Sequence, residues 1–280
     1  METRNEGLRL ARTDALDLLE TLAVTSGPTP LDRLLSHFRL DYEYLDRSAD
    51  VSLPEVPANV RGILDVEDKV IYAVDEKLIR QRWVIAHEIG HWVLHDHLFR
   101  WCSGADLEPT ARKQLEREAN EFGATLLFQG TRFTNECLRL PFSLDMLRER
   151  AREWKVSNEA AFRRFTEQNS GAVALAVCRP IGAGGSAFRS RADRASILER
   201  GVELTYWTSS PSYRHRGLDL ARRQTFSADH VITQAMSSGR SDHYGRVTIG
   251  KTNLPMSMFF TSWSALVIIG LSPGDQISHD

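Results

Sequence analysis

With 280 residues, 42% hydrophobic and 26% charged, the sequence has the make-up of a folded globular protein with room for two or three cores, which excludes a disordered or low-complexity chain. Its formal net charge of −2 conceals an asymmetry: residues 1–138 carry 16 Lys and Arg against 24 Asp and Glu, and residues 139–280 carry 19 against 13. No apolar run approaches the roughly 18 residues of a membrane span and the N-terminus lacks an apolar signal core, so the expectation is a cytoplasmic protein with no membrane partner.

Residues 8–24 place Leu8, Ala11, Ala15, Leu18, Leu19 and Leu22 at helical spacing, closed by Ser26-Gly27-Pro28. Thr29-Pro30-Leu31-Asp32 reads as an N-cap with proline at the first helical position, opening a short helix to about Phe38. Between Leu40 and Val74 the pattern changes to short strands. Residues 59–66 and 69–74 flank a turn at Glu67-Asp68, which predicts a hairpin.

Residues 77–98 form the helix around which the chain is arranged. It contains His87-Glu88-Ile89-Gly90-His91, in which the two histidines lie one turn apart on one face and can reach a single metal ion. Glu88 lies beside them, where a carboxylate can take a proton from a polarised water. Catalytic zinc usually has three protein ligands, so a third is expected elsewhere. After a loop over 99–110, a helix containing Leu115, Ala119, Phe122 and Leu126 at core spacing offers Glu118, next to Ala119, as that ligand. Glu116 and Glu121 are expected nearer solvent.

Residues 143–165 predict two helices meeting at Val156-Ser157, a helix-turn-helix-like arrangement whose basic residues are interleaved with Glu149 and Glu153. Gln168-Asn169-Ser170-Gly171 marks a boundary. Beyond it come a buried strand at 172–178, a Gly-rich loop at 182–186 lacking the P-loop Lys-Ser/Thr ending, a helix near 191–199, and strands at 202–207, 246–249, 256–261 and 265–271. Residues 179–223 carry nine Arg against four acidic residues. Cys102, Cys137 and Cys178 fit no metal-binding spacing and are expected to be reduced structural thiols.

Arg82-Trp83, Ala86-His87-Glu88-Ile89-Gly90-His91, and then Glu118-Ala119-Asn120, Phe122 and Leu126-Leu127 together resemble the ImmA/IrrE family of metallopeptidases. Gly123 departs from the pattern, since many relatives carry Ala there. The resemblance implies an α+β chain with a zincin-like metallopeptidase domain over 1–130, a helix-turn-helix-like segment over 131–169 and a GAF-like α+β sheet domain over 170–280. It implies Zn2+, with Mn2+ the other compatible ion, held by His87, His91 and Glu118, with Glu88 as the catalytic base. The implied partners are a protein substrate, an XRE-type helix-turn-helix repressor of the DdrO kind controlling DNA-damage and radiation-response genes, and a signal ligand at the C-terminal domain. Tyr72, His95 and Arg82 are the residues considered for stabilising an oxyanion. The rival reading is a DNA-binding transcriptional regulator that uses residues 143–165 and holds its metal without catalysis. Structural zinc sites usually have four protein ligands, often Cys-rich, and no such set is evident.

Overall fold

The computed structural model describes residues 2–45, 61–74, 77–94, 109–182, 191–217, 224–238, 240–261, 264–272 and 274–275. His95, His97 and Cys102 lie outside them, as do residues 99–108 of the loop expected over 99–110, whose last two residues instead open a helix, and most of the Gly-rich loop. The chain divides into two compact units, residues 1–133 with 152–157, and residues 134–151 with 158–280, so the segment 131–169 is shared between them. The architecture is mixed α and β.

The first unit begins with α1 (Glu2–Thr21) and α2 (Leu31–Phe38). Thr29 is not the cap of α2. Pro30 holds the N-cap position without a side-chain bond, and the fully buried Thr29 hydroxyl instead donates to the Leu126 carbonyl at 2.7 Å. A buried hydroxyl needs a partner wherever one is within reach, and the chain fold supplies a better one than the local helix does. The strands β1 (Asp41–Tyr44), β2 (Gly62–Asp65) and β3 (Val70–Ala73) form a sheet ordered β1-β3-β2. β2 and β3 are the expected antiparallel hairpin, with Asp65 Oδ1 accepting from the backbone N–H groups of Glu67 and Asp68 in the turn. β1 joins in parallel, which local pattern does not predict because parallel strands pair across a long connection.

Two long helices complete the unit, α3 (Leu78–Leu94) and α4 (Pro109–Phe128), followed by α5 (Arg132–Leu138). α3 is central and packs on α1, α2, α4, β2 and β3. Its residues Val84, Ile85, Ala86, Glu88, Ile89, Gly90 and His91 are all buried. α4 crosses it closely because the contact is made by small residues. A Cβ on Gly90 would stand 3.1 Å from the Ala119 backbone, and one on Gly123 would stand 3.2 Å from the His87 nitrogen. On its other side α4 packs against α1, where Arg12 Nε meets Glu121 Oε1 at 2.7 Å.

The second unit contains most of α6 (Leu144–Glu153), together with α7 (Asn158–Glu167) and a six-stranded antiparallel sheet. Its elements continue β4 (Ala174–Pro180), α8 (Arg191–Arg200), β5 (Val202–Ser209), α9 (Pro211–His215), β6 (Thr225–Phe226), α10 (Val231–Ser237), β7 (Asp242–Ile249), β8 (Thr252–Phe260) and β9 (Ala265–Ile269). The sheet order is β6-β5-β4-β9-β8-β7. Strand alternation separates its faces. Ala174, Ala176, Cys178, Met256, Met258 and Val267 join Ile197 of α8, Tyr213 of α9 and Met236 of α10 in one core cluster. Leu175, Val177, Leu266 and Ile268, also buried, point the other way. There α7 packs on β4, β5 and β9.

That packing uses most of α7. Ala161, Phe162, Arg164, Phe165 and Thr166 are buried, Phe162 stacks obliquely on Phe259 at 6.1 Å, and Glu167 Oε1 accepts from Thr208 at 3.0 Å. Only Glu159 and Arg163 are exposed, and Arg163 is held by Glu167 at 2.9 Å while lying over the Tyr206 ring. Cys178 is buried against apolar neighbours, which pushes its thiol up to about 12 and makes it inert. Cys137 is likewise a buried thiol outside any disulfide.

Candidate metal centre

α3 presents its two histidines toward α4. Their Nε2 atoms are 3.1 Å apart, with the rings edge-on at 86°. The carboxylate that meets them is Glu116. Its Oε2 lies 3.5 Å from His87 Nε2 and its Oε1 3.7 Å from His91 Nε2. The three ligand atoms lie within 4.8 Å of one another, and this is the cluster of metal-binding type among the described residues.

Glu118, the residue expected at this position, points elsewhere. Its Oε1 accepts from Gln114 at 2.9 Å, and its carboxyl lies against the backbone of Gly7 in α1, where any Cβ would overlap it. The reason is the helical turn. Ala119 and Gly123 define the face of α4 that touches α3. At about 100° per residue, Glu116 lies within roughly 60° of both, whereas Glu118 is about 100° or more from either. Sequence adjacency to a core alanine does not place a side chain on that alanine's face. The signal that finds Glu116 is the spacing Glu116-Ala119-Gly123, with small residues marking where another backbone approaches.

The electrostatics of the cluster are internally consistent. Burial tends to strip His87 of its proton, but the hydrogen bond to Glu116, the charges of Glu88 and Glu116, and a hydrogen bond with Asn120 outweigh it, so the imidazole is held above its ordinary range. The same His87 hydrogen bond pulls Glu116 below the usual carboxylate range against the opposing effect of burial, helped by the charges of His87, His91 and Arg112. His87 Nδ1 is buried without a hydrogen-bond partner among the described residues.

Glu88 is 2% exposed and turned from α4 toward the small sheet. A Cβ on Gly62 of β2 would lie 2.6 Å from Glu88 Oε1, so the strand can pass over the carboxylate only because Gly62 has no side chain. Gly62, Leu64, Ile71 and Ala73 share the sheet face that looks at α3, since Gly62 pairs with Ala73 and Leu64 with Ile71. Tyr72, paired with Ile63, is on the opposite face. Arg82 is occupied in the scaffold: its guanidinium donates to the Thr29 carbonyl at 2.8 Å, and burial lowers its pKa. Neither Tyr72 nor Arg82 is aimed at the cluster.

The donor set suits a divalent ion of zinc type. Metal–ligand bonds of about 2.0–2.2 Å in tetrahedral geometry place ligand atoms about 3.3–3.6 Å apart; the two imidazole nitrogens stand 3.1 Å apart, and each lies 3.5 or 3.7 Å from a different oxygen of Glu116.

Residues 64–166 match the family model described as the IrrE N-terminal-like domain of the M78 peptidases. Over those residues the chain carries an IrrE-like domain. The IrrE-like segment spans the strand leaving Gly62, both helices of the histidine–carboxylate cluster, and α6 and α7. No curated protein sequence matches the chain. Among solved structures it is similar to a Mycobacterium tuberculosis transcriptional regulator, with a TM-score of 0.59 and 13% identity over 93% of this chain and 86% of that one. At that identity the likeness is one of fold. No helix among the described residues is long and apolar enough to cross a membrane.

Proposed function

We propose that this IrrE-like protein is a zinc-dependent, site-specific metallopeptidase. In this reading His87, His91 and Glu116 hold the ion and Glu88 is the general base. The observation that carries the proposal is the convergence of two imidazoles and a carboxylate within 4.8 Å, beside a second, buried carboxylate one residue from His87. A bound Zn2+ would supply Lewis-acid polarisation of a peptide carbonyl and of the attacking water. Glu88 receives the proton that this water loses and returns it to the leaving amide nitrogen, so one side chain serves both halves of the hydrolysis. Burial of Glu88 against Gly62 holds the carboxylate to one orientation. Among the described residues β2 is an edge strand of the small sheet, and it suits an extended substrate that adds as a strand.

The substrate inferred is a helix-turn-helix transcriptional repressor of the DdrO kind, and the protein is read as most like the deinococcal regulator IrrE, also called PprI. Cutting such a repressor would release DNA-damage and radiation-response genes. The acidic excess of residues 1–138 favours a basic, DNA-binding substrate. The C-terminal sheet domain is read as a GAF-like sensor and residues 143–165 as a helix-turn-helix-like pair. The rival in which that pair reads DNA is disfavoured because α7 spends its side chains on the sheet, leaving one acidic and one paired basic residue exposed.

The test is incubation of the zinc-loaded protein with repressors from the same genome, with and without chelator, alongside Glu88→Gln. Metal-dependent cleavage at one position that Glu88→Gln abolishes while still holding zinc is the expected result. A Glu88→Gln protein that still cleaves overturns the assignment.

A further inference from the structure

We infer that the outer edge of β7 is a self-association surface, on which a second copy of this chain adds its own β7 antiparallel about Tyr244. The sheet's two edges differ. Among the described residues β6, at one end, is two residues long and offers almost no ladder of its own. β7, at the other, has eight residues, each paired with β8, and contains no proline. An edge that is not to be paired is usually short, interrupted or lined with charges of one sign, and β7 is none of these.

Its backbone is oriented for pairing. The Ser241 carbonyl accepts from the Phe260 N–H at 3.0 Å, so Ser241 turns its polar groups toward β8. By alternation Asp242, Tyr244 and Arg246 turn theirs outward. Their side chains share the face opposite Val247 and Ile249, which belong to the core cluster. Tyr244 is 46% exposed, and Arg246 is exposed.

The charges along this face are self-complementary in one register. With Tyr244 on the dyad, Asp242 of each copy stands opposite Arg246 of the partner subunit, giving two opposite-charge pairs that flank a Tyr–Tyr contact. The three outward-facing residue pairs exchange about six backbone hydrogen bonds. Both charged groups have capacity for this. Arg246 uses Nε and one terminal nitrogen on Asn253, leaving donors of its fork; the Asp242 side chain is 23% exposed, with Oδ1 buried and without a hydrogen bond among the described residues and Oδ2 3.8 Å from Arg148 Nη1. A parallel addition, or a register displaced by one residue, loses the charge matching.

Sedimentation velocity of the full chain over a dilution series and two salt concentrations tests this. The expected result is a reversible dimer that weakens as salt rises. Arg246→Asp and Asp242→Arg, each replacing two attractive pairs with two repulsive ones, should weaken it by about tenfold or more. The double variant Asp242→Arg/Arg246→Asp should restore it. A chain that is monomeric throughout, a dimer indifferent to either single reversal, or a double variant that stays monomeric overturns the proposal. Near-ultraviolet circular dichroism checks the fold of each variant. Should Asp242→Arg fail to fold through loss of its contact with Arg148, the exposed Arg246→Asp and the salt dependence still decide. Proteolytic activity plays no part in the readout, so this inference and the peptidase reading stand or fall separately.

Discussion

Gly62 lies directly against the carboxylate of Glu88, so closely that a Cβ there would stand 2.6 Å from Oε1 and would also overlap Val84. The glycine thus sets where the proposed general base sits, although it carries no chemistry. Gly62→Ala should displace Glu88 while leaving His87, His91 and Glu116 on their own helices. The expected outcome is zinc content near wild type, a stability loss of about 1–3 kcal/mol from overpacking, and cleavage slowed by as much as roughly 100-fold. Zinc content, Tm and cleavage rate measured on one preparation check it. A Gly62→Ala protein that cleaves at the wild-type rate would show that Glu88 is not held by the strand.

Glu116 and Glu118 differ by two positions and by most of a half-turn, which makes them a matched pair for testing the ligand assignment. Glu116→Gln removes a carboxylate 3.5 Å from His87 Nε2 and should lower zinc affinity by more than the roughly 10–100-fold typical of losing an outer-sphere partner. Glu118→Gln removes a group that bonds Gln114 and lies on α1, and should leave zinc affinity unchanged. Competition against a chromogenic chelator measures both. The reverse ranking would return Glu118 to the site.

The histidine helix, the hairpin before it and five of the six strands of the second unit were legible in the sequence because each is written in a local period; the two-residue β6 and the first half of β7 were not. The single helical turn from His87 to His91 and the alternation about Glu67-Asp68 need no partner to be recognised. The third ligand was not legible in the same way. Choosing between Glu116 and Glu118 requires knowing which face of α4 meets α3, and that is fixed by the close approach of Gly90 to Ala119 and of Gly123 to His87. The parallel β1–β3 pairing and the use of Thr29 on Leu126, 97 residues away, are likewise long-range facts. The helix-turn-helix-like pattern was visible, but not that α7 covers a sheet whose strands come later in the chain.

The shifts of His87 and Glu116 fix the sign of a pH dependence in the metal-free protein. The folded pKa of His87 is raised from its ordinary 6.5, so its contribution is full below that value and is lost as pH rises through the folded value. Glu116 is lowered from its ordinary 4.5, so its contribution is full above that value and is lost as pH falls through the folded value. Together they stabilise the metal-free protein most between about 4.5 and 6.5. Zinc must displace the His87 proton, so its affinity should climb as pH rises through the folded pKa of that group. Tm against pH for the metal-free wild type and Glu116→Gln, with zinc affinity at the same pH values, checks both signs. An affinity that is flat across the neutral range would contradict the coupling.

The packing of α7 predicts which of its residues matter and for what. Phe162 is fully buried and meets Phe259, so Phe162→Ala should destabilise the second unit by about 3–5 kcal/mol. Arg163 is 55% exposed, pairs with Glu167 on its own helix and lies over Tyr206, so Arg163→Ala should cost no more than about 1 kcal/mol. Denaturant unfolding gives both values. A duplex-reading helix would behave in the opposite way: Arg163→Ala would leave the fold alone but weaken DNA binding and lower its salt dependence by about one counterion. Because the exposed residues of α7 are one glutamate and this committed arginine, salt-titrated binding to duplex DNA should be indistinguishable between Arg163→Ala and the wild type. A measurable loss in that assay would restore α7 to the DNA-binding role that its sheet contacts argue against.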